Sequence, residues 1–187
     1  MEDKTYFMAV DVQNLWYSCR NTYGKEYRVD YAALLEFVQK QVIESGATLN
    51  VTAYLIVSSH HDQTNFINAL RGLGFNIKKR HITFGKNRQS PQNTNWDVGI
   101  AADAFMQDDE YDSFILISGD GDFVYLAEPL RELEKEVVVC SFEESTSKTL
   151  ATAATRAYYF DDSVVYNPRG RWEESQSEGY GAQDFSA

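Results

Sequence analysis

Two acidic turns hold the residues best suited to chemistry in this chain. Ser118-Gly119-Asp120-Gly121-Asp122-Phe123 follows the apolar run Phe114-Ile115-Leu116-Ile117, which reads as a buried strand, and precedes Val124-Tyr125-Leu126-Ala127, which opens a helix. The glycine between the two carboxylates allows a tight turn, and open α/β sheets bind their ligands at such strand tips. Far away in sequence, the apolar run Phe7-Met8-Ala9-Val10 ends in Asp11-Val12-Gln13-Asn14. If the two strands are neighbours, at least three carboxylates converge with little to neutralise them except a divalent cation. Oxygen-only donors favour Mg²⁺ or Mn²⁺ and do not distinguish the two.

A third acidic segment runs Trp96-Asp97-Val98-Gly99-Ile100-Ala101-Ala102-Asp103-Ala104-Phe105. Asp97 falls at a helix start, where a carboxylate suits the dipole. Asp103 lies ~120° around that helix and ~9 Å along it, so the two acids do not share one ligand position. Val98, Ala101, Ala102 and Phe105 mark the apolar side, which makes Asp103 an expensive charge unless it has a partner. The functional reading is a metal site. Asp11, Asp97, Asp120 and Asp122 would hold one or two ions that activate water and clamp a phosphate for in-line displacement. Asn14 would orient water or substrate, and Ser118 would brace the strand tip. Each acid also has a structural alternative. Asp11 can cap a turn or helix, Asp97 can be a first-turn residue, Asp122 can cap the helix it precedes, and Asp103 can be a buried hydrogen-bonded group.

Other chemistries fit poorly. His60-His61 has no further His or Cys at metal-ligand spacing, and the chain lacks a phosphate loop ending in Lys-Ser or Lys-Thr, a dinucleotide fingerprint and a Gly-x-Ser-x-Gly elbow. An EF-hand loop counted from Asp120 would need Glu where Arg131 stands.

The elements that must position these acids alternate. Strands are expected over Tyr6–Val10, Leu49–Val57, Phe75–Thr83, Asp112–Ser118 and Glu136–Phe142, with a short sixth over Tyr158–Phe160. Helices are expected over Asp30–Ile43 (Asp30 as N-cap), His60–Leu73, Trp96–Met106, Phe123–Lys135 with a kink at Pro129, and Ser147–Ala157. This alternation predicts an α/β fold in three layers, with a mostly parallel central sheet of five or six strands and helices on both faces. The polar stretch Phe84–Asn95, 12 residues long, exceeds the ~2–6 usual in αβ units and marks a candidate functional loop. Residues 1–166 read as one domain. Residues 167–187, rich in Gly, Ser, Glu and Gln, read as a flexible acidic tail.

Charge is polarised along the chain. The net charge is −11, which alone opposes sequence-independent nucleic-acid binding. Yet no Asp or Glu occurs from Arg71 to Trp96, a stretch that holds Lys78, Lys79, Arg80, His81, Lys86 and Arg88. Two cysteines, Cys19 and Cys140, are too few for a disulfide framework, and no apolar run approaches a membrane span. A soluble, cytoplasmic protein is the expectation.

Taken jointly, Val10-Asp11-Val12-Gln13-Asn14-Leu15, Trp96-Asp97-Val98-Gly99-Ile100-Ala101-Ala102-Asp103 and Leu116-Ile117-Ser118-Gly119-Asp120-Gly121-Asp122-Phe123 resemble the NYN domain, a branch of the PIN-like nuclease superfamily. The resemblance spans roughly Tyr6 to Phe160 and is closest to small stand-alone bacterial NYN proteins. It implies a Rossmann-like sheet and metal-dependent hydrolysis of RNA. Asp11, Asp97, Asp120 and Asp122 match the family's acids, Asn14 supports them, and Asp103 matches a further acid behind them. One position departs from the pattern. Where the family often carries a Lys before the helix-start Asp, this chain reads Asn93-Thr94-Asn95-Trp96, and Lys86 or Arg88 would supply the cation.

Three functions from different classes follow. The leading one is a Mg²⁺- or Mn²⁺-dependent ribonuclease acting on single-stranded RNA. Lys78, Lys79, Arg80, Lys86 and Arg88 would hold the backbone, and Trp16, Tyr17, Phe84 and Trp96 would be available for stacking. The second is a non-catalytic module that keeps the fold to bind or regulate a partner. The third, a haloacid dehalogenase-type phosphatase, needs a second Asp two residues after Asp11, where Gln13 stands. Self-association is compatible with all three.

Overall fold

In the computed structural model, residues 4–58, 62–82 and 95–169 are described. His60, His61 and residues 83–94, with Phe84, Lys86 and Arg88, and the residues beyond 169 lie outside them.

The chain builds a six-stranded, wholly parallel sheet from β1 (Thr5–Asp11), β3 (Thr48–Ser58), β4 (Asn76–Ile82), β5 (Ser113–Ile117), β6 (Glu136–Ser141) and β7 (Arg156–Tyr159), in the order β4-β3-β1-β5-β6-β7. A short antiparallel ribbon of β2 (Arg28–Val29) and β8 (Val165–Tyr166) stands apart from it. Chain order therefore runs outward from β1 on one side, then returns to the other side of β1 at β5. The sheet reverses its winding between these two strands, where open α/β sheets form a crevice at the strands' C-terminal ends.

Side chains alternate between the two faces, as the period of two requires. Tyr6, Met8 and Val10 of β1, with Ile115 and Ile117 of β5, pack against α1 (Val12–Tyr23), α2 (Tyr31–Gln41) and α3 (Thr64–Gly72) through Leu15, Leu34, Val38, Ile67 and Leu70. Phe7 and Ala9, with Phe114 and Leu116, face α4 (Asp97–Met106), α5 (Val124–Glu132) and α6 (Lys148–Ala153). Every residue of β5 is buried, which explains its apolar run from Phe114 to Ile117. Cys19 and Cys140 are buried free thiols.

Several elements differ from the sequence-based expectation. Residues 12–23 form a helix, α1, that the alternation of apolar runs did not reveal, because only Leu15, Ser18 and Cys19 are buried on it. Asp30 caps α2 as expected, accepting from Ala32 and Ala33 N–H, but the helix stops at Gln41. Pro129 lies inside α5, which a 3-10 turn over Gly121–Phe123 precedes. On α4 the buried residues are Ile100 and Ala104, whereas Val98 and Phe105 are exposed. The helix is apolar nearly all round, so its sequence offers too little contrast to fix which side faces in.

At the N-terminal edge of the sheet, Glu136 is the hub of a charged knot. Its carboxylate accepts from Ser113 Oγ at 2.7 Å and pairs with Lys4 Nζ at 2.9 Å and an Arg156 guanidinium nitrogen at 2.5 Å. Burial alone would raise its pKa, but these partners outweigh it and the net shift is downward.

Candidate active site

The parallel register sets Val10 beside Ile117, so the chain leaves β1 at Asp11 next to the point where it leaves β5 at Ser118. Asn14 joins the two tips. Its backbone N–H donates to Asp11 Oδ1 at 3.0 Å, and its side-chain Oδ1 accepts the Gly119 N–H at 3.1 Å and the Ser18 hydroxyl at 3.4 Å. The β5 turn is fixed from within, with Asp120 N–H donating to the fully buried Ser118 Oγ at 3.3 Å and Asp122 N–H to Asp120 Oδ1 at 3.0 Å. From the far side, Ser147 N–H donates to the Gly119 carbonyl at 2.9 Å. A Cβ at Gly119 would stand 2.5 Å from the Ser145 carbonyl oxygen, so the backbones meet there with no room for a side chain.

Asp97 enters from the first turn of α4, where the Asn95 side-chain amide donates to its carboxylate. Trp96 anchors that helix start, with its indole N–H on the Leu55 carbonyl at 2.9 Å and its ring against Gly99.

These acids share one field. Burial lifts the pKa of Asp11 to about 6; the Asn14 N–H pulls it down, and the Asp97 and Asp120 charges push it up. Asp97 is also raised, first by burial and then by Asp120 and Asp122. Among the described residues, none of the four acids is in an ion pair. Nor do any three His, Cys, Asp or Glu side chains among them form a group that could by itself hold a metal. The donor chemistry fits a hard cation that takes one or two carboxylates and completes its shell with water and phosphate oxygens, as Mg²⁺ does. It does not fit a closed, all-protein cage.

Asp103 stands outside this group. The Tyr54 hydroxyl donates to it at 2.6 Å and Lys78 Nζ pairs with it at 2.6 Å, which gives the charge on α4 the partners its burial demands. Lys78 is thereby committed to Asp103, and Arg80 donates to the Asn95 carbonyl at 3.2 Å. Lys79 and His81 alternate to the other face of β4 and are exposed.

Beside the β1 tip, Val12 and Gln13 begin the wall of a cleft of about 710 Å³ between α1, α2 and α3. Sequence reasoning named Trp16 and Tyr17 but not this cleft, because its other walls come from α3 and the β2–β8 ribbon, which only tertiary structure brings together.

The family model for the NYN domain matches residues 7–162. The chain belongs to the NYN family. NYN domains are a branch of the PIN-like nucleases, which in general use divalent metal ions and act on RNA. Low amplitude and bright protein LabA of Synechococcus elongatus is 30% identical over 119 residues, an alignment covering 61% of this chain and 63% of that protein. A crystal structure of a protein of unknown function from Vibrio parahaemolyticus superposes with a TM-score of 0.74 at 30% identity, covering 88% of this chain and 97% of the other. In this NYN domain, no helix among the described residues is long and apolar enough to cross a membrane.

Proposed function

We propose that this NYN domain is a metal-dependent ribonuclease that hydrolyses phosphodiester bonds of single-stranded RNA at the crevice between β1 and β5. The observation that carries this reading is electrostatic. Burial and the charges of Asp97 and Asp120 raise the proton affinity of Asp11, burial and the charges of Asp120 and Asp122 raise that of Asp97, and no ion pair among the described residues answers them. An arrangement that costs stability persists where function requires it.

In this reading Asp11, Asp97, Asp120 and Asp122 would hold one or two ions between them, each ion taking one or two carboxylates and completing its shell with water and phosphate oxygens. A bound Mg²⁺ or Mn²⁺ supplies charge neutralisation at the phosphate and acidifies a water. Asn14 acts through position, because it locks the Asp11 and Asp120 turns to a common spacing. Ser118 keeps the β5 turn closed under Asp120. Lys79 and Arg80, two strands from β1 or roughly 10 Å away, guide the RNA backbone, and Lys86 and Arg88 extend that basic edge in sequence.

The test is cleavage of labelled, mixed-sequence single-stranded RNA with Mn²⁺ or Mg²⁺, beside Asp11→Asn and Asp120→Asn prepared identically. Metal-dependent cutting that falls ~100-fold or more in both variants is the expected result, the scale at which an essential catalytic group is removed. Full activity in Asp11→Asn would overturn the assignment. A folded wild-type protein that binds Mn²⁺ and cuts no RNA would favour a binding module instead.

A further inference from the structure

Among the described residues, two of the three most exposed large apolar side chains stand just behind acids of the crevice. Val98, 81% exposed, follows Asp97 in the first turn of α4, and Tyr125, 82% exposed, comes three residues after Asp122 at the start of α5. Asp122 and Tyr125 share one outward stripe, since Phe123 and Leu126, the residue after each, are buried. Helical residues three apart are neighbours, with Cβ atoms ~5–6 Å from each other. Helical side chains also lean back over the turn before them, so the Tyr125 ring leans toward Asp122. The Tyr125 hydroxyl makes no hydrogen bond among the described residues. Neither core packing nor a polar partner accounts for an aromatic ring at this place.

A cation stands on the other side of the same turn. Ser147 N–H donates to the Gly119 carbonyl at 2.9 Å, and a Cβ at Gly121 would lie 2.9 Å from Ser147 Oγ and 4.0 Å from Thr149 Oγ1. Those two hydroxyls are bonded to each other at 2.7 Å. Lys148 lies between them in sequence and is exposed. The turn before it carries Glu143 and Glu144, and the β5 turn carries Asp120 and Asp122. Lys148 nonetheless forms no ion pair among the described residues. Its charge is therefore available to an anion from outside, and it offsets the repulsion that the acidic turn exerts on a phosphate.

We propose that Tyr125 and Lys148 position one nucleotide of single-stranded RNA across the β5 turn, the ring stacking on the base and the ammonium holding a phosphate. The two groups match the two halves of a nucleotide, a flat apolar ring and an anion, and they flank the turn that carries Asp120 and Asp122. Every base has a π-face, so this subsite orders the strand without selecting its sequence. The inference rests on the ribonuclease reading and deepens it. Lys79 and Arg80 take the strand on the β4 side and Lys148 takes it beyond β5, so the RNA crosses the C-terminal edge of the sheet with the acids between its two holds. Lys148 thereby supplies from α6 a phosphate-holding cation that the sequence before Asp97 lacks.

The test is binding of a labelled, mixed-sequence single-stranded RNA to the full chain in EDTA at several salt concentrations, where no cutting intervenes. Tyr125→Ala should weaken binding ~10-fold with the salt slope unchanged, and Tyr125→Phe should keep the wild-type affinity, because a stacked ring needs no hydroxyl. Lys148→Ala should reduce the slope of log K against log salt by about 1, as the loss of one phosphate contact does. Both positions are exposed, so Tm should not fall in either variant. With Mn²⁺ present, the loss in Tyr125→Ala should fall on KM rather than kcat, since stacking holds substrate and transition state alike. Wild-type binding in both alanine variants, a Tyr125→Phe as weak as Tyr125→Ala, a fall in Tm that accompanies the loss, or no RNA binding by wild type would each overturn the proposal. Metal-dependent cutting with neither variant altered in binding or KM would keep the nuclease and remove this subsite. Altered binding in both variants of a protein that cuts no RNA would do the reverse.

Discussion

At Asp11 a single carboxylate meets two opposed demands. Its Oδ1 caps α1 by accepting the Asn14 N–H, which stabilises the fold, and its burial beside Asp97 and Asp120 raises its pKa to about 6, which destabilises the ionised form. An acid whose folded pKa lies above its unfolded value, here 3.8, leaves the fold unpenalised below that unfolded value. The metal-free fold then loses stability as pH rises through about 6, since the unfolded chain ionises first. Asparagine keeps the capping oxygen and discards the charge. Asp11→Asn should therefore be more stable than wild type in EDTA at ~pH 8, by roughly 2 kcal/mol or about 5 °C in Tm. The gain should shrink as pH falls from ~6 towards 4 and fade to nothing below pH ~3. Thermal unfolding across that range checks both parts, and a variant less stable than wild type at the alkaline end would mean the carboxylate is not under repulsion. The same substitution is expected to abolish cutting, so stability and activity would move in opposite directions at one position.

Between elements, the decisive contact is backbone against backbone. The β5 turn lies under the 3-10 turn Glu143–Ser145 and the start of α6, with the Ser145 carbonyl oxygen 2.5 Å from where a Gly119 Cβ would be. Gly119→Ala must push these turns apart, with an overpacking cost of ~1–3 kcal/mol. Gly72, at the end of α3, has nothing within 4 Å of an added Cβ, so Gly72→Ala should be neutral or mildly stabilising. Paired denaturant titrations separate the two, and equal stability of both variants would show that the turns yield freely. The contrast also marks what the sequence could disclose. The acidic turns and the parallel sheet were legible because apolar runs give way to Asp at Asp11 and, after Ser118-Gly119, at Asp120, and because a fully buried strand such as β5 is apolar from Phe114 to Ile117. The inward side of α4 was illegible, since Val98, Ile100, Ala101, Ala104 and Phe105 give no polar contrast around the helix. Helix α1 was hidden for the opposite reason, a mostly polar stretch that buries only Leu15, Ser18 and Cys19. The Asn14 bridge and the α1–α3 cleft depend on partners 105 residues away or on other helices, and no local spacing encodes them.

Across the whole molecule, charge is sorted by sheet edge. The N-terminal edge ties Glu136 to Lys4 and Arg156, the C-terminal edge leaves Asp11, Asp97, Asp120 and Asp122 without an ion pair among the described residues, and the exposed β4 edge strand carries Lys78, Lys79 and Arg80. A chain of net charge −11 that binds RNA through that strand does so against a repulsive background. Within the strand, the period of two divides residues that read as one basic block. Lys78 spends its charge on Asp103 at 2.6 Å, whereas Lys79 is exposed without an ion pair among the described residues, and Arg80 gives a single hydrogen bond to the Asn95 carbonyl. Lys79→Ala and Arg80→Ala should thus weaken RNA binding uniformly across sequences, each reducing the slope of log K against log salt by about 1 if it contacts one phosphate. Lys78→Ala should leave that slope nearly unchanged and instead lower stability, because Asp103 loses its cation and keeps, among the described residues, the Tyr54 hydroxyl. Binding of a labelled single-stranded RNA in EDTA at several salt concentrations, beside thermal unfolding of each variant, distinguishes the two kinds of lysine. A slope that falls for Lys78→Ala and not for Lys79→Ala would place the RNA on the α4 face that Lys78 shares with Arg80 and would remove Lys79 from the path proposed here.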